Sequence, residues 1–309
     1  MKIAVVGSYG VGLTMRVPRF PAAGETVSGG TFASEHGGKG SNQAIGAARL
    51  GASVSLLTAI GHDANGAAAR KLWNDEGVAD AHVSVVDLPT MVGFIEVDPS
   101  GENRIVIAPG ALDTLDGDSI EGFRSEIASA DILVVSMEIP RSAVAAALRI
   151  ARESATRTLL NPAPARQLPD DMWGDIDVIT PNQTEAPVLL GLSVDHGLDD
   201  VALAAALQER TGGAVILTRG GHGALIADAD GTRPVPPNAV ANVVDTTGAG
   251  DAFTAALAVG LAQGASLDRA AEYAAKAGAH AVTIAGVVPS LPTPADLQNP
   301  ADTQTGATR

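Results

Sequence analysis

The sequence predicts an α/β fold, with a mostly parallel central sheet flanked by helices and a small β-sheet lid beside it. Short β-branched runs bounded by Gly, Asp or Pro recur along the chain, Ala-rich stretches of helical length lie between them, and two segments break the alternation. The runs are residues 3–6, 54–60, 132–135, 178–180 and 215–218, each apolar enough for a strand covered on both faces. The helical stretches include 142–152, 201–210 and 270–282. Sheets of this kind bind ligands beyond the carboxyl ends of their strands.

The first interruption, residues 13–35, is rich in Pro, Gly and Thr and has no helical stripe. In the second, 91–97 and 104–108 flank the hairpin turn Asp98-Pro99-Ser100-Gly101. Both carry short polar–apolar alternation, as a sheet with one solvated face does, and are expected to form lid strands at about 13–35 and 91–108. No repeat of solenoid length is present, so residues 1–292 read as one domain. Residues 293–309 lack an apolar stripe and are expected to be a flexible tail.

Composition narrows the function. Of 309 residues 46% are apolar and 18% charged, which excludes general disorder, and aromatics at 3% leave the interior to Ala, Val, Leu and Ile. A formal charge of -15 with a pI near 4.7 repels phosphate backbones and anionic membranes, so neither nucleic acid nor membrane is an expected partner. No apolar run approaches the roughly 18 residues of a membrane span. Residues 3–6, ending at Gly7, are too short for the core of a secretion signal. The absence of cysteine removes disulfides, thiolate nucleophiles and Cys-built metal sites and suits a reducing compartment, with the cytoplasm as the expected location.

The chemistry concentrates at Asp245-Thr246-Thr247-Gly248-Ala249-Gly250-Asp251-Ala252-Phe253. Apolar residues Phe253, Ala256, Leu257, Gly260 and Leu261 follow at helical spacing, so the glycine turn opens into a helix. The free N–H groups of Gly248, Ala249 and Gly250 form an anion site there, and their small size admits a phosphate close to the backbone. Asp251 has two readings. It is a first-turn carboxylate worth about 0.3–1 kcal/mol against the helix dipole, or, beside a bound phosphate, a general base.

A second cluster, His36-Gly37-Gly38-Lys39-Gly40-Ser41-Asn42, lacks the Lys-Ser/Thr adjacency of a P-loop. It is either a helix-entry turn with a solvated lysine or a place where backbone approaches a ligand while Lys39 and Asn42 offer donors. Gly7, Gly10 and Gly12 follow the first strand, but Met15 replaces the third glycine of a dinucleotide fingerprint, which removes the main support for NAD binding. The six histidines have no metal-ligand spacing, and Trp73 and Trp173 read as packing residues.

Four segments in this order resemble the ribokinase family of sugar kinases, the phosphofructokinase-B type, from Lys2 to about Pro292: Gly37-Gly38-Lys39-Gly40-Ser41-Asn42-Gln43-Ala44, Asn161-Pro162-Ala163-Pro164-Ala165-Arg166, Thr180-Pro181-Asn182-Gln183-Thr184-Glu185 and the segment Asp245 to Asp251. The two middle segments are especially similar to ribokinase-type members. The resemblance implies a three-layer ribokinase-like fold and an ATP-dependent sugar kinase acting on a primary hydroxyl. Asp251 is implied as the base, Gly248, Ala249 and Gly250 as the anion hole, and Gly38, Lys39, Asn42 and Glu138 as holders of sugar hydroxyls. Without the resemblance, Glu138 reads as an exposed carboxylate at a strand end. The nucleotide is implied at Asn182, Thr218, Gly220, Gly223 and Gly250, with Glu185 completing an Asn-x-x-Glu pattern associated with magnesium, and His222 near the adenine is a minor variant of that reading. Potassium is implied beside Asp245, Thr247, Ala281, Ile284, Gly286 and Ser290, and a homodimer through the lid is the family's common state.

One departure stands out. Ribokinases usually carry Asn-x-Asp shortly after the first strand, the aspartate gripping two hydroxyls, whereas this chain has Gly10-Val11-Gly12. Losing a charged hydrogen-bond partner costs on the order of 1.5–3 kcal/mol, unless Tyr9 or a lid residue substitutes. The two glycines are also expected to open space, which points to a bulkier or differently substituted sugar or a nucleoside-like molecule. A nucleoside kinase of the same family is the alternative enzyme, and a catalytically silent sugar-binding regulator is the alternative of another class.

Overall fold

The structure, a computed structural model, describes residues 1–193 and 195–298. From the N-terminus the chain forms β1 (Lys2–Val6), β2 (Gly10–Arg16), β3 (Thr31–Gly37), α1 (Lys39–Arg49), β4 (Ser53–Leu57), β5 (Ala59–Gly61), α2 (Ala64–Asp75), β6 (Val78–Ala79), β7 (Ser84–Val86), β8 (Val92–Val97) and β9 (Asn103–Ala108). It continues with α3 (Gly117–Glu121), α4 (Arg124–Ser129), β10 (Ile132–Ser136), α5 (Arg141–Glu153), β11 (Arg157–Asn161), β12 (Val178–Ile179), α6 (Glu185–Leu189), α7 (Asp200–Thr211), β13 (Ala214–Thr218), β14 (Ala224–Asp228), β15 (Gly231–Val235), α8 (Ala249–Ala262), α9 (Leu267–Ala281) and α10 (Val287–Ser290).

The main sheet runs β15-β14-β13-β12-β11-β10-β1-β4-β6, parallel except for the antiparallel pairs β13/β14 and β14/β15 at one edge. Side chains alternate between faces along each strand. Ile3, Val5, Val54, Leu56, Ile132 and Val134 pack with α1, α8 and α9 on one side, while Ala4, Val6, Leu57, Leu133 and Val135 pack with α5 and α7 on the other. Because helices cover both faces, the strands are unbroken apolar runs, which is why they are readable in the sequence. Three layers result.

The lid is a four-stranded sheet in the order β3-β2-β8-β9, as its two sequence segments imply. Its hairpin turn is held by Asp98, whose Oδ1 accepts from the Ser100 N–H at 2.8 Å and the Ser100 hydroxyl at 2.6 Å. Strand β2 begins at Gly10, three residues before the expected start, because Gly10 pairs with Gly37 in the ladder. The expected single strand at 54–60 is two strands: the chain leaves the main sheet at Thr58, whose carbonyl accepts from the Ser84 N–H at 3.0 Å, and β5 pairs with β7 in a separate ribbon. Strands β6, β7, β11, β14 and β15 add to the runs singled out above. Past α10 the chain turns at Pro294, and Leu297 enters the core at 7% exposure, so residues 293–298 are docked rather than frayed; the rest of the expected tail, 299–309, lies outside the described residues. Among the described residues no helix is long and apolar enough to cross a membrane.

Candidate active site

The carboxyl ends of β11, β12 and β13 meet the start of α8 around a cavity of about 310 Å³, whose walls include Lys39, Asn161, Thr180, Glu185, Gly250 and Asp251. A neighbouring cavity of about 390 Å³ shares Asn182, Thr218, Thr246, Gly250 and Phe253 with it, so the two form one cleft. The parallel bridge between Asn182 and Thr218 joins its walls.

Gly248 caps α8 with φ 80°, and a Cβ there would lie 2.5 Å from Val287 Cγ1, so turn and packing both demand glycine. No side chain caps this end of the helix. Apart from the Ala249 N–H, which makes a long 3.4 Å contact to the Thr246 carbonyl, the first-turn N–H groups are left for an anion. At Gly250 a Cβ would meet nothing within 4 Å, which leaves room beside those donors.

Asp251 is buried at 6% exposure, yet it lines the cavity. Its Oδ2 accepts from Asn42 Nδ2 at 2.8 Å and its Oδ1 from Gln43 Nε2 at 3.0 Å. Burial raises its pKa above the ordinary carboxylate value; the Lys39 ammonium and the two amide donors oppose that rise, and the Glu138 charge adds to it. For Lys39 burial disfavours the cation, but Asp251, Glu138 and Glu185 prevail and hold its pKa above the ordinary value. Burial also raises Glu185, against the Asn182 N–H and Lys39 and with the like charge of Asp251. An ammonium among three carboxylates gives a cavity suited to a substrate with hydroxyl donors and a phosphoryl group.

Glu138 is half-buried, not the exposed strand-end carboxylate of the bland reading: its Oε2 accepts from the Lys39 N–H at 2.9 Å and from the Ser8 hydroxyl. Gly38 and Gly40, in the cluster from His36 to Asn42, act differently from the expected approach to a ligand. A Cβ on Gly38, at φ 92°, would fall 2.5 Å from Tyr9 Cα, and one on Gly40 would fall 2.6 Å from Gly7 Cα, so the backbone they admit is the chain's own.

The departure at residues 10–12 also resolves differently. Gly10 does not open space, because the Met91 side chain fills the volume its Cβ would take, with Met91 O at 2.9 Å. Gly12 is roomier, with Ile95 Cδ1 at 3.6 Å. Tyr9 cannot supply the missing grip: it is fully buried, stacked edge-on against Trp73, and its hydroxyl is engaged with His36 Nδ1 at 2.7 Å. Trp73 and Trp173 are both core residues.

In the Asn-x-x-Glu pattern, Asn182 Oδ1 accepts from the N–H groups of Thr184 and Glu185, each at 2.9 Å, and Glu185 Oε2 accepts from the Asn182 N–H at 2.8 Å. This reciprocal pair is a capping box that starts α6 and fixes Glu185 at the cavity wall. Gly220 and Gly223 line the second cavity with Pro237, Val240 and Val243, whereas His222 is exposed and outside both linings. Asp245 Oδ1 accepts from the Thr247 N–H at 2.9 Å and Oδ2 from the Gly286 N–H at 3.1 Å. Ala281 and Ile284 flank this junction, their backbones joined at 3.3 Å, while the Ser290 hydroxyl turns to the Val287 carbonyl at 2.8 Å.

Three participants carry little sequence signal. Gln43 and Asn161 stand inside the quoted motifs without an expected role, and Phe253 reads only as the helix's first apolar residue. The available signal for Gln43 was a run of three polar residues, Ser41-Asn42-Gln43, opening an Ala-rich helix; all three are buried.

A family model described as pfkB family carbohydrate kinase matches residues 1–294. The chain is 35% identical over 292 residues to a ribokinase of Haemophilus influenzae, covering 94% of this chain and 95% of that one. It is 33% identical over 294 residues to a deoxyribokinase of Salmonella typhi, covering 94% and 96%. The structure of Arabidopsis thaliana ribokinase complexed with ribose and ATP matches with a TM-score of 0.88 at 28% identity over 96% of each chain.

Proposed function

The chain belongs to the pfkB family of carbohydrate kinases and is an ATP-dependent sugar kinase; from that premise we propose how its own residues perform the transfer. Asp251 takes the proton of a primary hydroxyl on the sugar while that oxygen attacks the γ-phosphorus of ATP. The bond from phosphorus to the bridging oxygen breaks, ADP leaves and the phosphorylated sugar remains. The N–H groups of Gly248, Ala249 and Gly250 hold the charge on the travelling phosphoryl group, since such reactions depend on position and electrostatics more than on covalent help. The observation that carries this reading is Asp251 itself, a buried carboxylate at an uncapped helix start, in a cavity wall shared with Lys39.

Lys39, Asn42 and Glu138 hold the sugar in this reading, with Gly38 setting the helix entry that places them, and residues 1–292 act as one unit. Asn182, Thr218, Gly220, Gly223 and Gly250 hold the nucleotide, and the apolar wall of Pro237, Val240 and Val243 suits a base. The solved neighbour with ribose and ATP supports this pairing of ligands. Glu185 at the wall would hold magnesium together with the phosphates; the ion would offset phosphate charge and keep several waters. The set Asp245, Thr247, Ala281, Ile284, Gly286 and Ser290 offers one carboxylate, hydroxyls and backbone oxygens. Burial works to raise Asp245, but Thr247 and Gly286 donate to it and keep its pKa below the ordinary value, so it stays anionic. One fixed negative charge among neutral oxygens fits a monovalent cation, potassium.

A second substrate reading follows from Gly12. With no side chain at the position of the gripping aspartate, the chain suits a sugar with a methylene where ribose has a hydroxyl, and the deoxyribokinase relative supports it. A homodimer through the lid is supported by one lid face on which Phe32, Phe94 and Val106 are 60%, 42% and 69% exposed. A cysteine-free chain suits the cytoplasm. ADP release across pentoses, deoxypentoses, hexoses and nucleosides, with and without potassium, tests the assignment: a pentose or deoxypentose is expected to lead, and turnover confined to nucleosides contradicts it.

A further inference from the structure

We propose that Gln43 is a positioning residue for the Asp251 carboxylate, held in place by Asn161. Gln43 Nε2 lies 3.0 Å from Asp251 Oδ1 and 3.1 Å from Asn161 Oδ1, so each of its two N–H bonds has one acceptor. Asn161 reaches back to the Thr180 carbonyl at 3.5 Å. A line of amides thus ties the ends of β12 and β11 to the second turn of α1 and on to α8.

Gln43 is 1% exposed and absent from the cavity wall, so it acts on the reaction only through Asp251. Its orientation is decided by chemistry. Gln43 Oε1 is buried and without a hydrogen-bond partner among the described residues, a costly arrangement that the amide would avoid by turning over if Asp251 and Asn161 did not both demand a donor. Asn42 holds the second carboxylate oxygen at 2.8 Å, and its own Oδ1 is likewise unpartnered. The two amides fix the plane of the carboxylate, and donors to the ionised form favour it over the protonated form. The charged groups that face Asp251 are Lys39 from α1, which also favours ionisation, and Glu138 beyond β10 and Glu185 from α6, which oppose it. In a buried site with two opposing carboxylates, the Gln43 donor keeps the base in its working form as the pH falls.

The inference rests on Asp251 as the base, and the test separates the two. In the full-length protein, the pH dependence of kcat/KM is measured for wild type, Gln43→Met and Asp251→Asn. Gln43→Met removes both N–H bonds at similar volume and is expected to move the acid limb upward by about one pH unit. Activity should approach the wild-type plateau at alkaline pH, with ATP affinity unchanged. Gln43→Asn, an amide drawn back by one methylene, is expected to move the limb the same way and replaces the methionine variant if that one does not fold. An unmoved acid limb, or a loss equal at every pH, overturns the positioning role. Active Asp251→Asn overturns the base assignment itself, whereas inactive Asp251→Asn with an unmoved limb in Gln43→Met overturns only the role of Gln43.

Discussion

Met91 crowds the place a side chain on Gly10 would take: its terminal methyl lies 2.3 Å from the site of the missing Cβ, and its carbonyl, 2.9 Å from that site, accepts the Val11 N–H at 2.9 Å. The glycine at the mouth of the lid is therefore paired with a methionine reaching across from the start of β8. Overpacking a filled core site costs typically about 1–3 kcal/mol. Gly10→Ala is expected to lower the melting temperature, and Met91→Ala in the same chain to recover part of that loss although each change alone destabilises. Strict additivity of the two in a double-mutant cycle contradicts the pairing.

The neighbouring Gly12, at the position of the gripping aspartate, is expected to bear on substrate choice. Wild-type protein is expected to use a deoxypentose at least as well as the matching pentose, measured as the ratio of kcat/KM values. Gly12→Asp is expected to shift the ratio toward the fully hydroxylated sugar by roughly tenfold, in line with one added hydrogen bond. A ratio unmoved by Gly12→Asp contradicts that role.

Asp251 makes a prediction about stability with a definite sign. Its native pKa is raised, chiefly by burial, so its contribution to folding is fully present below the unfolded carboxylate value and is lost as the pH climbs through the native value. Above that window the wild type holds an ionised buried group. Asp251→Asn is expected to melt higher than wild type at neutral pH, with the gap closing below the carboxylate range; a variant that melts lower at neutral pH contradicts the sign. Stability exchanged for activity in this way is common at catalytic groups.

The lid prediction concerns assembly. Leu13, Phe94 and Val106 lie opposite one another in the ladder and so share a face, which Phe32 joins through its pairing with Met15. Val106→Glu is expected to convert a dimer to a monomer in sedimentation velocity at micromolar concentration without a change in the far-ultraviolet dichroism. An unchanged sedimentation coefficient places any dimer contact elsewhere.

Legibility in the sequence followed burial. Strands such as β1 and β10 are covered on both faces and appear as plain apolar runs, and α8 announces itself through Gly248 and the spacing after it. Strand β12, two residues long, had the help of a neighbouring motif, whereas β14 is a short buried run of four apolar residues and β15 is a largely exposed edge strand without an apolar pattern. The site divided along the same line. Asp251, Lys39 and Asn182 lie in glycine- or proline-marked turns, but what Gly10 faces depends on Met91, 81 positions along the chain, and Gln43 finds Asn161 and Asp251 only through the fold. No local spacing encodes such contacts.

The account depends most on Asp251 as the acceptor of the hydroxyl proton. Single-turnover transfer from ATP to the best sugar of the screen, measured beside ATP binding by calorimetry, isolates that step. Asp251→Asn is expected to slow transfer by about 10²–10⁴-fold, the usual contribution of a general base, while ATP affinity stays within a few-fold of wild type. Transfer at a rate close to that of wild type contradicts the account.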